Sequence, residues 1–184
     1  MEIELTKMPC HNYKHKKIVN AIYDVLSEYQ IEALCECASW LLRHILITYE
    51  KYPEFEIDLI SGRFEDSYHV WVHDKIENYY IDITAEQFLD DSTYFCSQDI
   101  NDFLKLGYEI TNNETTDEIS KSVTDEPYIL MDKGKKITLT NLLDKVKEKL
   151  NIVGGKRVNK KKSRKNKKKS RKNKSIKQFK YASL

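Results

Sequence analysis

Residues 68–83 read Tyr68-His69-Val70-Trp71-Val72-His73-Asp74-Lys75-Ile76-Glu77-Asn78-Tyr79-Tyr80-Ile81-Asp82-Ile83. Two runs rich in aromatic and β-branched residues flank a polar stretch, 74–78, which is the pattern of a β-hairpin. Side chains alternate along a strand, so His69, Trp71 and His73 share one face. Centring the turn between Lys75 and Ile76 predicts that His69 stands directly opposite Asp82, with Cβ atoms about 4.5–5.5 Å apart. At that separation a carboxylate can hold an imidazole ring in one tautomer. A slip of one residue would send the two side chains to opposite faces. His73, beside the turn, is expected to be exposed.

The hairpin predicts a small antiparallel sheet, and the flanking segments complete it. Phe55, Ile57 and Leu59 alternate with acidic residues, so 55–62 reads as a strand ending near Gly62. Segments 108–111 and 128–131 are further strand candidates. Helices are expected over 13–30, 32–51, 97–106 and 140–150, each from apolar residues at helical spacing or a Gly or Pro stop. The second has a wide apolar stripe, Leu34, Ala38, Leu41, Leu42, Ile45, Leu46 and Tyr49, and Pro53 ends it. The polar stretch 112–125 reads as a loop. The expected class is therefore α+β, with helices packed on an antiparallel sheet.

Cys35-Glu36-Cys37-Ala38-Ser39 opens that second helix. The reactive form of cysteine is the thiolate, and a helix N-terminus and a neighbouring imidazolium both favour it. Cys35 in the first turn is the expected nucleophile, with His69 as base and Asp82 as orienter. Cys37, two residues deeper, is the alternative nucleophile. The default oxyanion donor is the backbone N–H of Cys35.

These pieces, in this order, resemble the transglutaminase-like branch of the papain-like cysteine hydrolases. The resemblance covers about residues 30–90. It rests on Cys35 with the small Ser39 four residues later, on His69-Val70-Trp71-Val72, and on Asp82-Ile83-Thr84-Ala85-Glu86-Gln87-Phe88. The last is similar to an Asp-Pro-Thr-Ala-x-Gln-Phe signature in which Ile83 replaces the proline. The resemblance implies a nucleophile helix packed on a small antiparallel sheet. It also implies thiol-dependent acyl transfer by a Cys35–His69–Asp82 triad, as an amide or ester hydrolase, a deamidase or a transglutaminase-like enzyme. Trp71, Thr84 and Gln87 would support the motifs, Thr84 and Gln87 by bracing the turn after the strand. Gln30 would add a side-chain oxyanion donor. A protein or peptide substrate fits this chemistry, and no cofactor is implied.

Charge divides the chain. Residues 156–184 hold 15 Lys/Arg and no Asp/Glu, which leaves 16 basic and 29 acidic residues in 1–155, a net charge of −13. Lys160–Asn166, KKKSRKN, repeats unchanged at 167–173 after Gly154-Gly155. Such a segment cannot offset the entropy of folding. The expected organisation is a globular domain over 1–153 and a disordered basic tail over 154–184. The tail would bind nucleic acid or another polyanion by counterion release, without sequence preference. It also resembles the termini of many proteins of large DNA viruses.

Cys10, Cys35, Cys37 and Cys96 are irregularly spaced, and neither a secretory signal nor a membrane span is read. These features predict free thiols in an intracellular protein of the cytoplasm or nucleus, or, if viral, of the host cell or virion. No metal is expected: Cys35-x-Cys37 and the His11/His15 pair lack completing ligands. The alternative to an enzyme is a catalytically inactive transglutaminase-like scaffold that binds polyanions through its tail.

Overall fold

The computed structural model describes residues 10–152 except 11, 30–33, 88–93, 112–113, 126–128 and 133–134. Gln30, His11, Phe88 and the basic tail lie outside the described residues.

The chain is a mixed helix-and-sheet fold. In order it runs α1 (Lys16–Leu26), α2 (Cys35–Thr48), β1 (Ile57–Phe64), β2 (Ser67–Asp74), β3 (Tyr79–Asp82), β4 (Phe95–Ser97), α3 (Ile100–Lys105), β5 (Tyr108–Ile110), α4 (Thr116–Asp125), β6 (Ile129–Asp132), β7 (Lys135–Thr138) and α5 (Leu139–Lys149). The main sheet has the order β4-β3-β2-β1-β5, with every pair antiparallel. Of the two extra strands anticipated, 108–111 joins this sheet as β5. The 128–131 segment does not: β6 pairs with β7 as a separate two-stranded ribbon.

The period-two alternation of β2 sorts the interior into two cores. Val70 and Val72 face the aliphatic side, with Leu59, Ile81 and the helix residues Ile22, Val25, Leu41, Leu42 and Ile45. Trp71 faces an aromatic side built with Phe64, Phe95, Phe103 and Tyr108. Gly62, paired with both His69 and Ile110, underlies the Trp71 ring. A Cβ there would overlap that ring and the Glu109 carbonyl, so only glycine fits beneath the tryptophan.

The hairpin register differs from the expected one by two residues. Val72 pairs with Ile81, His73 with Tyr80 and Asp74 with Tyr79, which places Trp71, not His69, across from Asp82. The turn is Lys75–Asn78. Asp74 Oδ1 accepts from the Ile76 and Glu77 N–H groups at 3.1 Å each, and Asn78 takes φ +54°. Asp74 therefore closes the turn from inside β2. A shift of two preserves the face of every side chain, so His69 and Asp82 become diagonal neighbours on the same side. His73 is half-buried, not exposed, because it stacks on Tyr80 with ring centroids 4.2 Å apart.

Two further expectations fail. The 112–125 segment contains helix α4, closed at its N-terminus by Thr115 and Glu118. Thr115 Oγ1 accepts from Glu118 N–H, and Glu118 Oε2 accepts from Thr115 N–H. This reciprocal cap is the Thr-x-x-Glu box, and Ile119 and Val123 bury one stripe. Cys10 and Cys96 are not free thiols. They form a disulfide with Cα atoms 5.4 Å apart, because the segment before α1 folds back on β4, 86 residues away in sequence. Cys35 and Cys37 are the free cysteines. No helix among the described residues is long and apolar enough to cross a membrane.

Candidate active site

Helix α2 is tied to the sheet along one line of its surface. Cys35, Ser39 and Arg43 recur every four residues and so lie one above another. Ser39 Oγ donates to the Val70 carbonyl at 3.0 Å, and Arg43 Nε donates to the Ile57 carbonyl at 3.1 Å. The small side chain at 39 lets the helix close on β2 beside His69. Cys35 is the first residue of α2, and Leu34 supplies no side-chain cap. The first N–H groups of the helix therefore point past Cys35 with no cap from that residue.

His69 stands where the two cores meet. On the aromatic side its ring lies near Trp71 and Tyr108, with centroids 6.2 and 5.8 Å away. Its Nε2 lies 2.7 Å from Asp82 Oδ2, and the Cys35 thiol lies close enough to act on the charge of the imidazole. With Nε2 committed to the carboxylate, Nδ1 is the nitrogen left for the thiol. An ionised carboxylate can only accept, so Nε2 donates and Nδ1 of the neutral ring is the basic nitrogen. The structure thus pairs His69 with Asp82 and leaves the Cys35 thiol within electrostatic reach of the imidazole.

Asp82 accepts four hydrogen bonds. Oδ2 receives His69 Nε2 and, at 2.6 Å, the Tyr108 hydroxyl. Oδ1 receives the Thr84 N–H at 2.8 Å and the Thr84 hydroxyl at 3.0 Å. Burial alone would push the carboxyl upward, but His69 and these donors outweigh it and hold Asp82 below its usual range. For His69, burial pulls the other way. The Asp82 charge and hydrogen bond, with Cys35 adding to them, overcome that and push the imidazole up to about 10.

The other residues singled out from sequence fall into distinct places. Thr84 braces the Asp82 turn with its side chain. Gln87 does not bury its amide: it is exposed, and its backbone N–H donates to the Thr84 carbonyl at 3.0 Å. Trp71 is fully buried in the aromatic core. Cys37 is fully buried on the aliphatic side, where desolvation first, then Cys35 and Glu36, push its thiol up to about 12. A thiol held that high is a poor nucleophile near neutral pH. Among the described residues no group of three or more His, Cys, Asp or Glu could hold a metal ion.

Sequence reasoning missed Tyr108. Twenty-six residues separate it from Asp82, and a tyrosine opening a short strand reads as packing. It also missed the outer wall of the site. Tyr68, exposed, donates to Glu114, and the charges of Glu36, Glu114 and Cys35 all act on its hydroxyl, so the thiol lies within electrostatic reach of this wall. Glu36 Oε2 in turn accepts from Ser122 of α4 at 3.2 Å.

No protein-family model matches the chain, and neither does any curated protein or solved structure.

Proposed function

We propose that this protein is a thiol-dependent acyl-transfer enzyme built on a transglutaminase-like core. Cys35 is its nucleophile, His69 its general base and acid, and Asp82 the group that orients and steadies the imidazole. The single observation that supports this most is the fully buried His69–Asp82 pair, 2.7 Å apart, with the Cys35 thiol acting on the imidazole. In a core that only needed packing, apolar side chains would avoid the cost of burying an ionisable pair.

The chemistry follows from the placement of atoms. With the imidazole held protonated beside Asp82, the Cys35 proton rests on Nδ1 of His69, and the thiolate of that pair attacks a substrate carbonyl carbon. The carbonyl oxygen gains the electron pair and is met by the Cys35 backbone N–H at the start of α2. When the intermediate collapses, the imidazolium returns its proton to the departing amine or alcohol, leaving a thioester on Cys35. Water then releases an acid, or a second amine releases a new amide, with His69 repeating both proton transfers. Asp82 stays ionised throughout. The basic segment 156–184 would hold the enzyme near nucleic acid or another polyanion.

The test is the pH dependence of iodoacetamide alkylation, mapped cysteine by cysteine. Cys35 should label rapidly well below pH 8.5, the ordinary thiol range being about 8.5. His69→Ala should abolish that acid-side reactivity while circular dichroism shows a folded chain. If Cys35 labels no faster than a denatured thiol and is indifferent to His69, the triad does no chemistry.

One observation favours a second reading. Cys35 is only 5 % exposed. A thiol closed off in that way suits a scaffold whose function lies in its tail, and uniformly slow alkylation of Cys35 would select it.

A further inference from the structure

Two donors meet on one oxygen of Asp82. His69 Nε2 lies 2.7 Å from Oδ2, and the Tyr108 hydroxyl donates to the same atom at 2.6 Å. Tyr108 is 1 % exposed and arrives from β5, at the edge of the sheet beyond β1. A buried phenol needs a hydrogen-bond partner, but any backbone carbonyl would satisfy it. Here the hydroxyl goes to the carboxylate that governs the imidazole. A second donor on an accepting oxygen draws off part of its negative charge, so the oxygen attracts the Nε2 proton less strongly. This matters for a group that must act twice. An imidazole held too tightly as imidazolium takes the thiol proton readily but returns it poorly to a leaving group.

Building on the acyl-transfer reading, we propose that Tyr108 is a positioning residue of the site. Its hydroxyl fixes Oδ2 of Asp82 in place and limits the pull of that oxygen on the His69 proton. The titratable groups that face His69 are Asp82 from β3 and Cys35 from α2, and Tyr108 of β5 reaches it through Asp82. The remainder of Tyr108 is packing: its ring meets Phe64, Trp71 and Phe103 with centroids 5.0, 5.5 and 4.9 Å away. Removing the hydroxyl alone therefore separates the two roles.

The experiment uses the full chain with 15N-labelled histidine. NMR follows the His69 ring through a pH titration in wild type and in Tyr108→Phe, with thermal unfolding as the check on folding. The His69 midpoint should rise by about half a unit to one unit, which is about 0.7–1.4 kcal/mol. The alkaline limb of Cys35 alkylation should rise with it. A residue that only packs would leave both unmoved. If Tyr108→Phe does not fold, 3-fluorotyrosine placed at position 108 keeps the shape and gives a stronger donor, and the midpoint should then fall. A midpoint that stays at the wild-type value, or moves against these signs, overturns the role of Tyr108 alone. A wild-type Cys35 with no acid-side reactivity overturns the acyl-transfer reading, and with it this one.

Discussion

Two buried aspartates near the two ends of the β2–β3 hairpin are built to nearly the same plan. Asp74 and Asp82 are both fully buried. In each, Oδ1 closes a turn, taking Ile76 and Glu77 N–H groups at Asp74 and both donors of Thr84 at Asp82. In each, Oδ2 takes a tyrosine hydroxyl from a distant element, Tyr13 at 2.7 Å for Asp74 and Tyr108 at 2.6 Å for Asp82. The difference is one imidazole. At Asp82, Oδ2 also meets His69, and behind His69 stands a thiol at a helix N-terminus. Asp74 holds a turn and the segment before α1, and leads to no nucleophile. A saturated buried carboxylate is thus a structural part used twice here, and only its third neighbour makes one copy a candidate for proton chemistry.

The sharpest way to break this comparison is to replace each aspartate in turn. Asp82→Ala should cost about 3–5 kcal/mol, since it leaves a buried imidazolium without its counter-charge. It should also abolish the acid-side reactivity of Cys35. Asp74→Ala should cost less, about 1–3 kcal/mol for the donors left unpaired, and should leave the alkylation profile of Cys35 unchanged. Urea unfolding and mapped alkylation read both. Equal effects on Cys35 would mean that the two carboxylates differ in nothing that matters.

Stability against pH gives the next largest contrast. The His69 pKa is raised in the folded state, to about 10 from 6.5. Its stabilisation is therefore fully present below about pH 6.5 and is lost as the pH rises through about 10. Cys37, raised to about 12 from 9.0, adds a loss of the same sign above pH 9. Asp82, depressed, contributes above the ordinary carboxylate range and loses that contribution as the pH falls through its folded value. Urea midpoints should fall steadily from pH 7 to 10 in wild type. In Asp82→Ala that alkaline slope should be much shallower, because His69 no longer has its partner. In Asp74→Ala it should persist.

Two further effects belong to the segment before α1. Reducing the Cys10–Cys96 bridge, or Cys96→Ser, should cost about 2–4 kcal/mol by freeing a long loop in the unfolded chain. Tyr13→Phe should cost about 1–2 kcal/mol through the hydroxyl lost to Asp74. Neither should alter Cys35 labelling at neutral pH. A change in labelling would show that the segment before α1 reaches the site.

Much of this was legible in the sequence, and the misses have physical causes. Hairpin, helix stripe and strand alternation depend on neighbours a few residues apart, and they locate β1, β2, β3, α2 and α5. The α4 cap at Thr115 and Glu118 was also written locally, but only Ile119 and Val123 mark its apolar stripe, and a polar surface reads as a loop. The hairpin register escaped because the side chain of Asp74 shortens the turn, and composition does not show which polar residue will do so. Strands β4 and β7 span only three and four residues, too short for alternation to stand out.

The sequence by itself determined which residue types share a face: His69 with Trp71 on one side of β2, Cys35 with Ser39 on one side of α2. These follow from periods of two and nearly four, which any regular strand or helix must obey. Only the tertiary structure decided that the Cys35 thiol comes within reach of His69, that Asp82 reaches His69 diagonally, and that Tyr108 ends on the same oxygen. It alone also decided that Cys10 pairs with Cys96. Those contacts join residues from 13 to 86 positions apart. Their geometry is set by how the two cores pack against the sheet, and no local pattern in the chain encodes it.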